Sequence, residues 1–391
     1  MKKYVYQMLV WLFVISASSA VEVSMPAFDF SLLIAKQPGA QRVNLMQSSA
    51  ADFRLLYSDR FYSDLGFAFY IPDLLYFFHP QPDVRTTGQF AFLNFSLNFP
   101  RLGGRPLSLA LFTGAHPSLA GTRYCFDFVK HKMPPVRMTD SDISSLFLPP
   151  EQREQAAISF AGLIGNSGYM GASFGWNAQI KKKQAYGMYL QGGGFSNPVL
   201  ANNMISLHIS DKAEEISLGA ALSLLFTLTE HFSIYTEAGL KKTNLRSQAL
   251  TADLIGNLFA FFEPKVHLQR MNLDFTFFAS GIREGHRPAA FPHIPLLKPF
   301  MFKQNDLFGG LNTFLGIGNM ELDKLQGGMH ILAAVNIHNP QNIKAFVFAL
   351  TPFFTADIGL CNLDIRATVF PLGYADPASM VEGKISFKRD L

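Results

Sequence analysis

The sequence predicts an all-β fold, a closed antiparallel transmembrane β-barrel of about 14–18 strands. Many of its segments alternate between apolar and polar residues with a period of two, the pattern of strands that have two different faces. Charged residues make up only 16% of the chain, against about 25% in ordinary soluble domains. The chain is also apolar overall, with 39 phenylalanines and a mean hydropathy of +0.15.

Beyond residue 20 the sequence contains no uninterrupted apolar stretch of the ~18 residues that a membrane-spanning helix needs. A closed barrel is the other architecture that pairs every backbone polar group in lipid. A soluble β-sandwich would also show alternating strands. Its water-facing side usually carries many Lys, Glu and Thr, whereas the polar faces here carry mainly Ser, Gly, Asn and Gln. The composition of the polar faces therefore favours the barrel.

The first residues have the layout of a secretory signal peptide. Lys2 and Lys3 precede an apolar run, and small residues at positions 16–20 provide a cleavage site after Ala20. We therefore expect a signal peptide over residues 1–20 and the barrel over residues 61–391. The segment between them, residues 21–60, is predicted to form either a first strand or a plug inside the barrel.

The clearest strands lie within residues 215–241. Every second residue from Ile216 to Leu228 is apolar, and the residues between them are mostly small or polar. After a break at residues 229–231 the alternation resumes from Phe232 to Leu240, which indicates an antiparallel hairpin. Its first strand has about the length of 9–11 residues that a tilted strand needs to cross a bilayer.

The same alternation recurs along the rest of the chain. Phe90 and Phe92 are out of phase with the apolar residues that follow them, which predicts a β-bulge. Two further strands are predicted over residues 253–262 and 266–279. Long connections over residues 130–155 and 281–299 contrast with short turns elsewhere, as at the two ends of an outer-membrane barrel.

This pattern resembles that of bacterial outer-membrane β-barrels of the porin-like kind. Phe387 closes an alternating terminal segment and resembles the terminal aromatic residue that the barrel assembly machinery reads. The resemblance implies the outer membrane of a diderm bacterium, with outer-membrane lipid and the barrel assembly machinery as partners. It also implies a channel or transporter that lets small polar or hydrophobic solutes pass.

Two alternatives to a porin-like channel stay open. The size, the abundance of Phe and the segment 21–60 are similar to those of the fatty-acid transporter (FadL-like) barrels, which would imply a plugged transporter for long-chain fatty acids or other hydrophobic solutes. The long loops would also suit a surface adhesin presented on a barrel.

Six charged residues alternate with the apolar faces of predicted strands and are therefore candidates to line the lumen. They are Glu237, Lys241, Arg270, Asp274, Asp364 and Arg366. Mixed charges inside a pore tune which solutes pass. Alternatively, these residues pair across strands and satisfy one another in a narrow interior.

The connection over residues 281–299 contains a group of cationic and titratable side chains. They are Arg283, His286, Arg287 and His293. This connection either folds inward as a constriction or forms an exposed loop stiffened by proline. The two histidines do not have the spacing of a zinc site, and we expect neither a metal nor a cofactor.

Motifs for catalysis and nucleic-acid binding are weak. Gly165-Asn166-Ser167-Gly168 lacks the final Gly of a nucleophile turn, because Tyr169 stands there. The formal net charge of +4 gives no footprint for nucleic acid. We therefore expect a protein that is not an enzyme and does not bind nucleic acid. Cys125 and Cys361 are expected to be unpaired.

Overall fold

The structure is a computed structural model of the 391-residue chain. It describes residues 22–35, 43–58, 61–71, 74, 89–99, 107–114, 155–164, 167–177, 185–210, 215–248, 250–281, 307–319, 323–337, 346–359, 361–371 and 381–390. The predicted signal peptide, residues 1–20, lies outside these ranges.

The described residues form one sheet of 18 antiparallel strands. The first nine are β1 (Glu22–Ala35), β2 (Asn44–Ser58), β3 (Phe61–Ile71), β4 (Gln89–Phe99), β5 (Leu107–Gly114), β6 (Gln155–Ile164), β7 (Gly168–Asn177), β8 (Ala185–Ser196) and β9 (Val199–Ser210). The others are β10 (Ile216–Thr227), β11 (Phe232–Asn244), β12 (Leu258–His267), β13 (Met271–Gly281), β14 (Leu307–Asn319), β15 (Leu325–Asn336), β16 (Phe346–Asp357), β17 (Asn362–Val369) and β18 (Val381–Asp390).

Each strand pairs with the next one along the chain, and the last strand pairs with the first. The closing pair joins β18 to β1, with Phe387 opposite Phe30 and Ile385 opposite Leu32. Because β1 also pairs with β2, the sheet has no free edge and forms a closed barrel. The predicted fold class is confirmed, at the upper limit of the predicted strand number.

The two ends of the barrel have connections of different length. The end where β1 begins and β18 finishes has short turns, such as residues 59–60, 197–198 and 268–270, and we call it the turn end. The opposite end, the loop end, has the three longest connections, over residues 72–88, 115–154 and 282–306. Short turns at one end and long loops at the other are typical of outer-membrane barrels.

The alternation predicted for the central hairpin is present in the structure. On β10 the small side chains of Ser217 and Ser223 are buried, whereas Leu222 on the other face is 49% exposed. Buried polar side chains and exposed large apolar ones alternate in the same way on β7, β9 and β13. An outward apolar face and an inward, mainly polar one are what a barrel in lipid requires.

Three local predictions can be compared with the strands. The bulge predicted at Phe90 and Phe92 is confirmed, because the register between β3 and β4 shifts between Gly66 and Phe67. The strand break predicted between residues 262 and 266 is wrong, since β12 continues to His267. Pro264 lies inside β12 and cannot donate a ladder hydrogen bond, so it resembled a strand end in the sequence.

The described residues also include a helix, α1 (Leu250–Asn257), at the loop end between β11 and β12. A strand was predicted to begin at Asp253, which was wrong. A side chain on Gly281 would lie 2.0 Å from the backbone oxygen of Ile255. Glycine at the end of β13 therefore lets the helix approach the strand closely. None of the described helices is long and apolar enough to cross a membrane.

Residues 21–60, left open between a strand and a plug, contribute β1 and β2 to the wall of the barrel. A plug is not seen in the part of the chain that the structure describes. Cys361 lies in the turn between β16 and β17 as a free thiol. Cys125 lies outside the described residues.

Candidate functional site

The inner face of the barrel is the candidate site, because buried polar and titratable side chains collect there. Four of them form a cluster on three neighbouring strands, which we call the carboxylate cluster. They are Glu237 on β11, Glu263 and Lys265 on β12, and Asp274 on β13.

Lys265 is the centre of the carboxylate cluster. Its side chain is 2% exposed, and its ammonium nitrogen lies 2.7 Å from Oε1 of Glu263. Asp274 stands directly opposite Lys265 in the β12–β13 register. Burying an ammonium group is costly unless carboxylates compensate it, so these three side chains depend on one another.

Neutral hydroxyl groups complete the hydrogen bonding of the two glutamates. Thr276 donates to Glu263, and Tyr235 donates to Glu237 two residues along β11. The period of two places all these side chains on the inner face. The described side chains of β11–β13 thus include three inward carboxylates and one inward ammonium.

A second group of inward side chains is apolar and lies nearer the loop end. We call it the apolar patch: Phe278, Phe308, Leu332, Ala334, Val347, Ala349 and Phe370. Phe308 is the second residue of β14 and Phe370 directly follows β17, so both lie at the loop end. The inner face is therefore not polar throughout.

Asn312 on β14 lies where the carboxylate cluster and the apolar patch meet. It stands opposite Thr276 on β13 and Leu332 on β15. Its side chain is 4% exposed, and its Oδ1 atom has no hydrogen-bond partner among the described residues. Most buried polar groups in proteins do have a partner, so this amide oxygen is an exception among the described side chains.

The inner faces of β4–β10 differ from both of these groups. None of these seven consecutive strands contains Asp, Glu, Lys or Arg, and we call their inner faces the neutral wall. Tyr169 donates to Oδ1 of Asn202 at 2.5 Å, and Gln191 donates to the same oxygen at 3.3 Å. The buried polar groups of this wall are thus mainly amides and hydroxyls, together with the imidazole of His208.

Aromatic rings lie close to inward glycines at several places around the wall. A side chain on Gly193 would lie 3.0 Å from the ring of Tyr169, and one on Gly310 would lie 2.9 Å from the ring of Phe278. The first pair is on the neutral wall and the second borders the apolar patch. Glycine at these positions lets the ring of the neighbouring strand lie against the backbone.

Two further ion pairs face the interior in the half of the barrel nearer the turn end. Arg54 on β2 donates to both carboxylate oxygens of Asp64 on β3, at 2.7 and 3.1 Å. Arg366 lies 2.6 Å from Asp364 on the same strand, and the arginine side chain is 40% exposed. Removing one member of such a partly exposed pair costs less than removing one member of the buried Lys265 pair.

The six residues that were predicted to line the lumen lie in different surroundings in the structure. Glu237 and Asp274 are buried in the carboxylate cluster, and Asp364 pairs with Arg366 on β17. Arg270 lies in the turn between β12 and β13, where its exposed side chain is 3.4 Å from Asp323. Lys241 is on β11, but its side chain is not described.

The predicted constriction residues Arg283, His286, Arg287 and His293 lie outside the described residues, so the two interpretations of their loop stay predictions. Within the described ranges, no group of three or more His, Cys, Asp or Glu residues has an arrangement that could hold a metal ion.

Two features of the site were not predicted from the sequence. Glu263 and Lys265 flank Pro264, so they seemed to belong to a turn. The apolar patch was missed because β16 is apolar on both faces around Val347 and Ala349. One signal in the sequence was available. Lys and Glu are rare within the strands of this chain, so a Glu and a Lys two residues apart in a strand could have been predicted to lie on the inner face.

Comparisons with known proteins do not assign the chain to a family. No protein-family model matches the sequence, and no curated protein matches it. The chain is similar in structure to a triple mutant of Rhodopseudomonas blastica porin, with 6% identity over 95% of this chain and 100% of that one, at a TM-score of 0.43. For Salmonella typhi OmpF in complex with daunomycin the identity is 5%, the coverage 94% and 97%, and the TM-score 0.44.

The class of fold is therefore defined by the strand pairing of this chain, whose described residues form an antiparallel barrel of 18 strands that closes where β18 pairs with β1.

Proposed function

We propose that the protein is a non-enzymatic channel or transporter through which small solutes cross the outer membrane of a diderm bacterium. One observation carries this proposal: a closed barrel whose exposed face is apolar and whose buried face carries Ser, Asn, Gln and paired charges. An apolar exterior suits the hydrocarbon of a bilayer, and polar inner groups suit solutes that carry their own hydrogen-bonding groups.

The asymmetry of the two ends gives the proposed orientation. The turn end, where β1 begins and β18 finishes, would face the periplasm, and the loop end would face the outside. The long connections over residues 115–154 and 282–306 would then be the first part of the protein that an external solute meets.

The test is the single-channel conductance of the refolded chain, without residues 1–20, in planar bilayers. Heat-modifiable gel migration shows beforehand that a barrel has formed. Large, steady, ohmic current steps are expected for an open channel. A folded barrel that inserts and stays silent would contradict an open channel, and failure to form any barrel would contradict the membrane assignment.

The apolar patch favours a second candidate function, transport of solutes with a hydrophobic part. Phe278, Phe308 and Leu332 are buried on the inner face, where an aqueous pore needs no large apolar side chains. Uptake of a hydrophobic dye into vesicles that contain the barrel would distinguish this candidate, since a barrel selective for polar solutes would not raise the uptake above that of empty vesicles.

A further inference from the structure

We propose that solutes cross the barrel along the strands on either side of its closing pair, β17, β18, β1, β2 and β3, and not along the rest of the inner face. We call the inner face of these five strands the seam wall. This inference rests on the channel function proposed above, and it adds the route of the solute and the polar groups that the solute meets.

The seam wall differs from the rest of the inner face in the exposure of its side chains. Among the described side chains of β4–β16, none that points inward is exposed. Ser159 on β6 and Leu332 on β15 are 0% exposed, and Ser223 on β10 is 2% exposed. The exposed inward side chains lie on the seam wall and include Asp29, Ser48, Tyr70, Asn362, Lys384 and Lys388.

The register between strands shows that the exposed side chains of the seam wall point inward. Ser48 on β2 is opposite Ser31 on β1, and Ser31 is opposite Ser386 on β18. Ser386 is in turn opposite Asp364 on β17, the partner of the inward Arg366. Residues directly opposite one another in a sheet lie on the same face. Ser48 is therefore exposed to the interior of the barrel and not to lipid.

The exposed side chains extend along the barrel from one half to the other. Ser48 and Tyr70 are opposite each other in the half nearer the loop end. Lys388 is opposite both Asp29 on β1 and Asn362 on β17 in the half nearer the turn end. A solute that follows the seam wall would thus contact accessible polar groups on both sides of the middle of the barrel.

The chemistry of the seam wall identifies the class of solute. Arg54 and Arg366 are each 40% exposed beside their paired carboxylates, and the exposed Lys384 is directly opposite Arg366. The route therefore offers charges of both signs, hydroxyls and an amide. Phe308 and Leu332 of the apolar patch are 0% exposed, so they lie off this route. Small hydrophilic solutes with charged or hydrogen-bonding groups fit it best.

The experiment measures which side chains an impermeant thiol reagent reaches in the refolded barrel in lipid vesicles. Both native cysteines are first replaced by serine, and single cysteines are then introduced. Ser48→Cys tests the seam wall. Ser159→Cys is the control for the inner face, because each serine is the fifth residue of its strand counted from the loop end. Ser49→Cys is the control for the outer face of β2, since consecutive side chains of a strand point to opposite faces.

We expect a cationic methanethiosulfonate reagent to modify Ser48→Cys at least about tenfold faster than either control, because thiol reactivity depends on exposure to water. Mass spectrometry measures the rate, and heat-modifiable gel migration shows that each variant has formed a barrel. Ser31→Cys, on the strand next to Ser48 and opposite it, takes its place if Ser48→Cys does not fold.

The current through the modified barrel gives a second measurement. Complete modification of Ser48→Cys should lower the single-channel current about twofold, since the adduct occupies the route. A cationic and an anionic adduct of similar size should shift the reversal potential in a KCl gradient in opposite directions. A purely structural disturbance would not depend on the sign of the adduct in this way.

Modification of Ser159→Cys or Ser49→Cys as fast as Ser48→Cys would overturn the inference, and so would a current that is unchanged after complete modification of Ser48→Cys. Failure of the channel proposal looks different. A barrel that is modified selectively at Ser48→Cys and conducts no current keeps the seam wall as the water-filled part of the interior and loses the open channel. A conducting barrel without this selectivity keeps the channel and loses the inference.

Discussion

The neutral wall and the carboxylate cluster differ in how their buried polar side chains are partnered. Both bury polar side chains on the inner face of a barrel. On the neutral wall, Tyr169 and Gln191 converge on one amide oxygen of Asn202, and no ionised side chain needs a partner. In the carboxylate cluster, Lys265 is 2% exposed and lies 2.7 Å from Glu263, so that the loss of one member leaves buried charge behind.

The comparison shows that neutral and ionised side chains on the inner face respond differently to substitution. Neutral groups can be lost singly at the cost of one hydrogen bond, whereas ionised groups are coupled. The charged side chains also lie on one side of the barrel, since β4–β10 have none. The electric field inside the lumen is therefore stronger beside β11–β13 than beside β4–β10, and a solute with an uneven charge distribution would be oriented by it.

The largest effect is expected for Lys265→Met. Removing the ammonium leaves Glu263 and Asp274 without their compensating charge, which should lower the free energy of unfolding by about 3–5 kcal/mol. Urea unfolding of the barrel in lipid vesicles, followed by tryptophan fluorescence, measures it. The double variant Lys265→Met with Glu263→Gln should recover part of the loss. A loss below about 1 kcal/mol would show that the cluster is not coupled as described.

The matching change on the neutral wall is Tyr169→Phe. It removes the hydroxyl that donates to Asn202, but Gln191 still donates to that oxygen, so the expected loss is only about 1 kcal/mol in the same unfolding measurement. Tyr186→Phe is the control, because Tyr186 is 43% exposed on the outer face and should show no loss. If Tyr169→Phe cost as much as Lys265→Met, the contrast between the two walls would fail.

A smaller effect is expected for Arg366→Gln, which tests whether all inward charges behave alike. Arg366 pairs with Asp364, but its side chain is 40% exposed, so the loss should be about 0.2–1 kcal/mol. Arg270→Gln in the β12–β13 turn, where the arginine is 74% exposed, should have no measurable effect. A loss of several kcal/mol for Arg366→Gln would show that this ion pair is coupled as strongly as the carboxylate cluster.

The smallest effect is expected on ion selectivity. Asp274→Asn removes one negative charge from the wall, and the preference for cations should fall about twofold, equivalent to roughly 0.4 kcal/mol. The reversal potential in a KCl gradient measures it, and the change should grow at low salt because screening weakens. Ser206→Ala on the neutral wall should leave the reversal potential unchanged.

The sequence was sufficient for the fold class and for the outward and inward faces of strands with clear alternation. In β10 and β13 the residue types on the two faces differ strongly, so the face on which each side chain lies could be predicted. Glu237 and Asp274 were placed on the predicted inner face for this reason. Arg270 was counted with them because alternation alone does not show where a strand ends and its turn begins.

The arrangement of the site could not be predicted, because it depends on the register between strands. The pairing of Asn312 with Thr276 joins residues on either side of a long connection, and the pairing of Lys265 with Asp274 depends on where the turn between β12 and β13 falls. Shifting one strand by a single residue would turn every side chain to the opposite face. The apolar patch has the same origin, since four strands and the residue that follows β17 each contribute one or two side chains that are not distinctive in the sequence.

The pairing of β18 with β1 has a consequence for the order of events during synthesis. Phe387 must find Phe30, and until the last strand has been made the partly built sheet exposes two unpaired edges. Contacts so distant in the chain are slow to form. The ring therefore cannot close before the last strand is present, and until then both edges of the sheet are open to pairing with other copies of the chain.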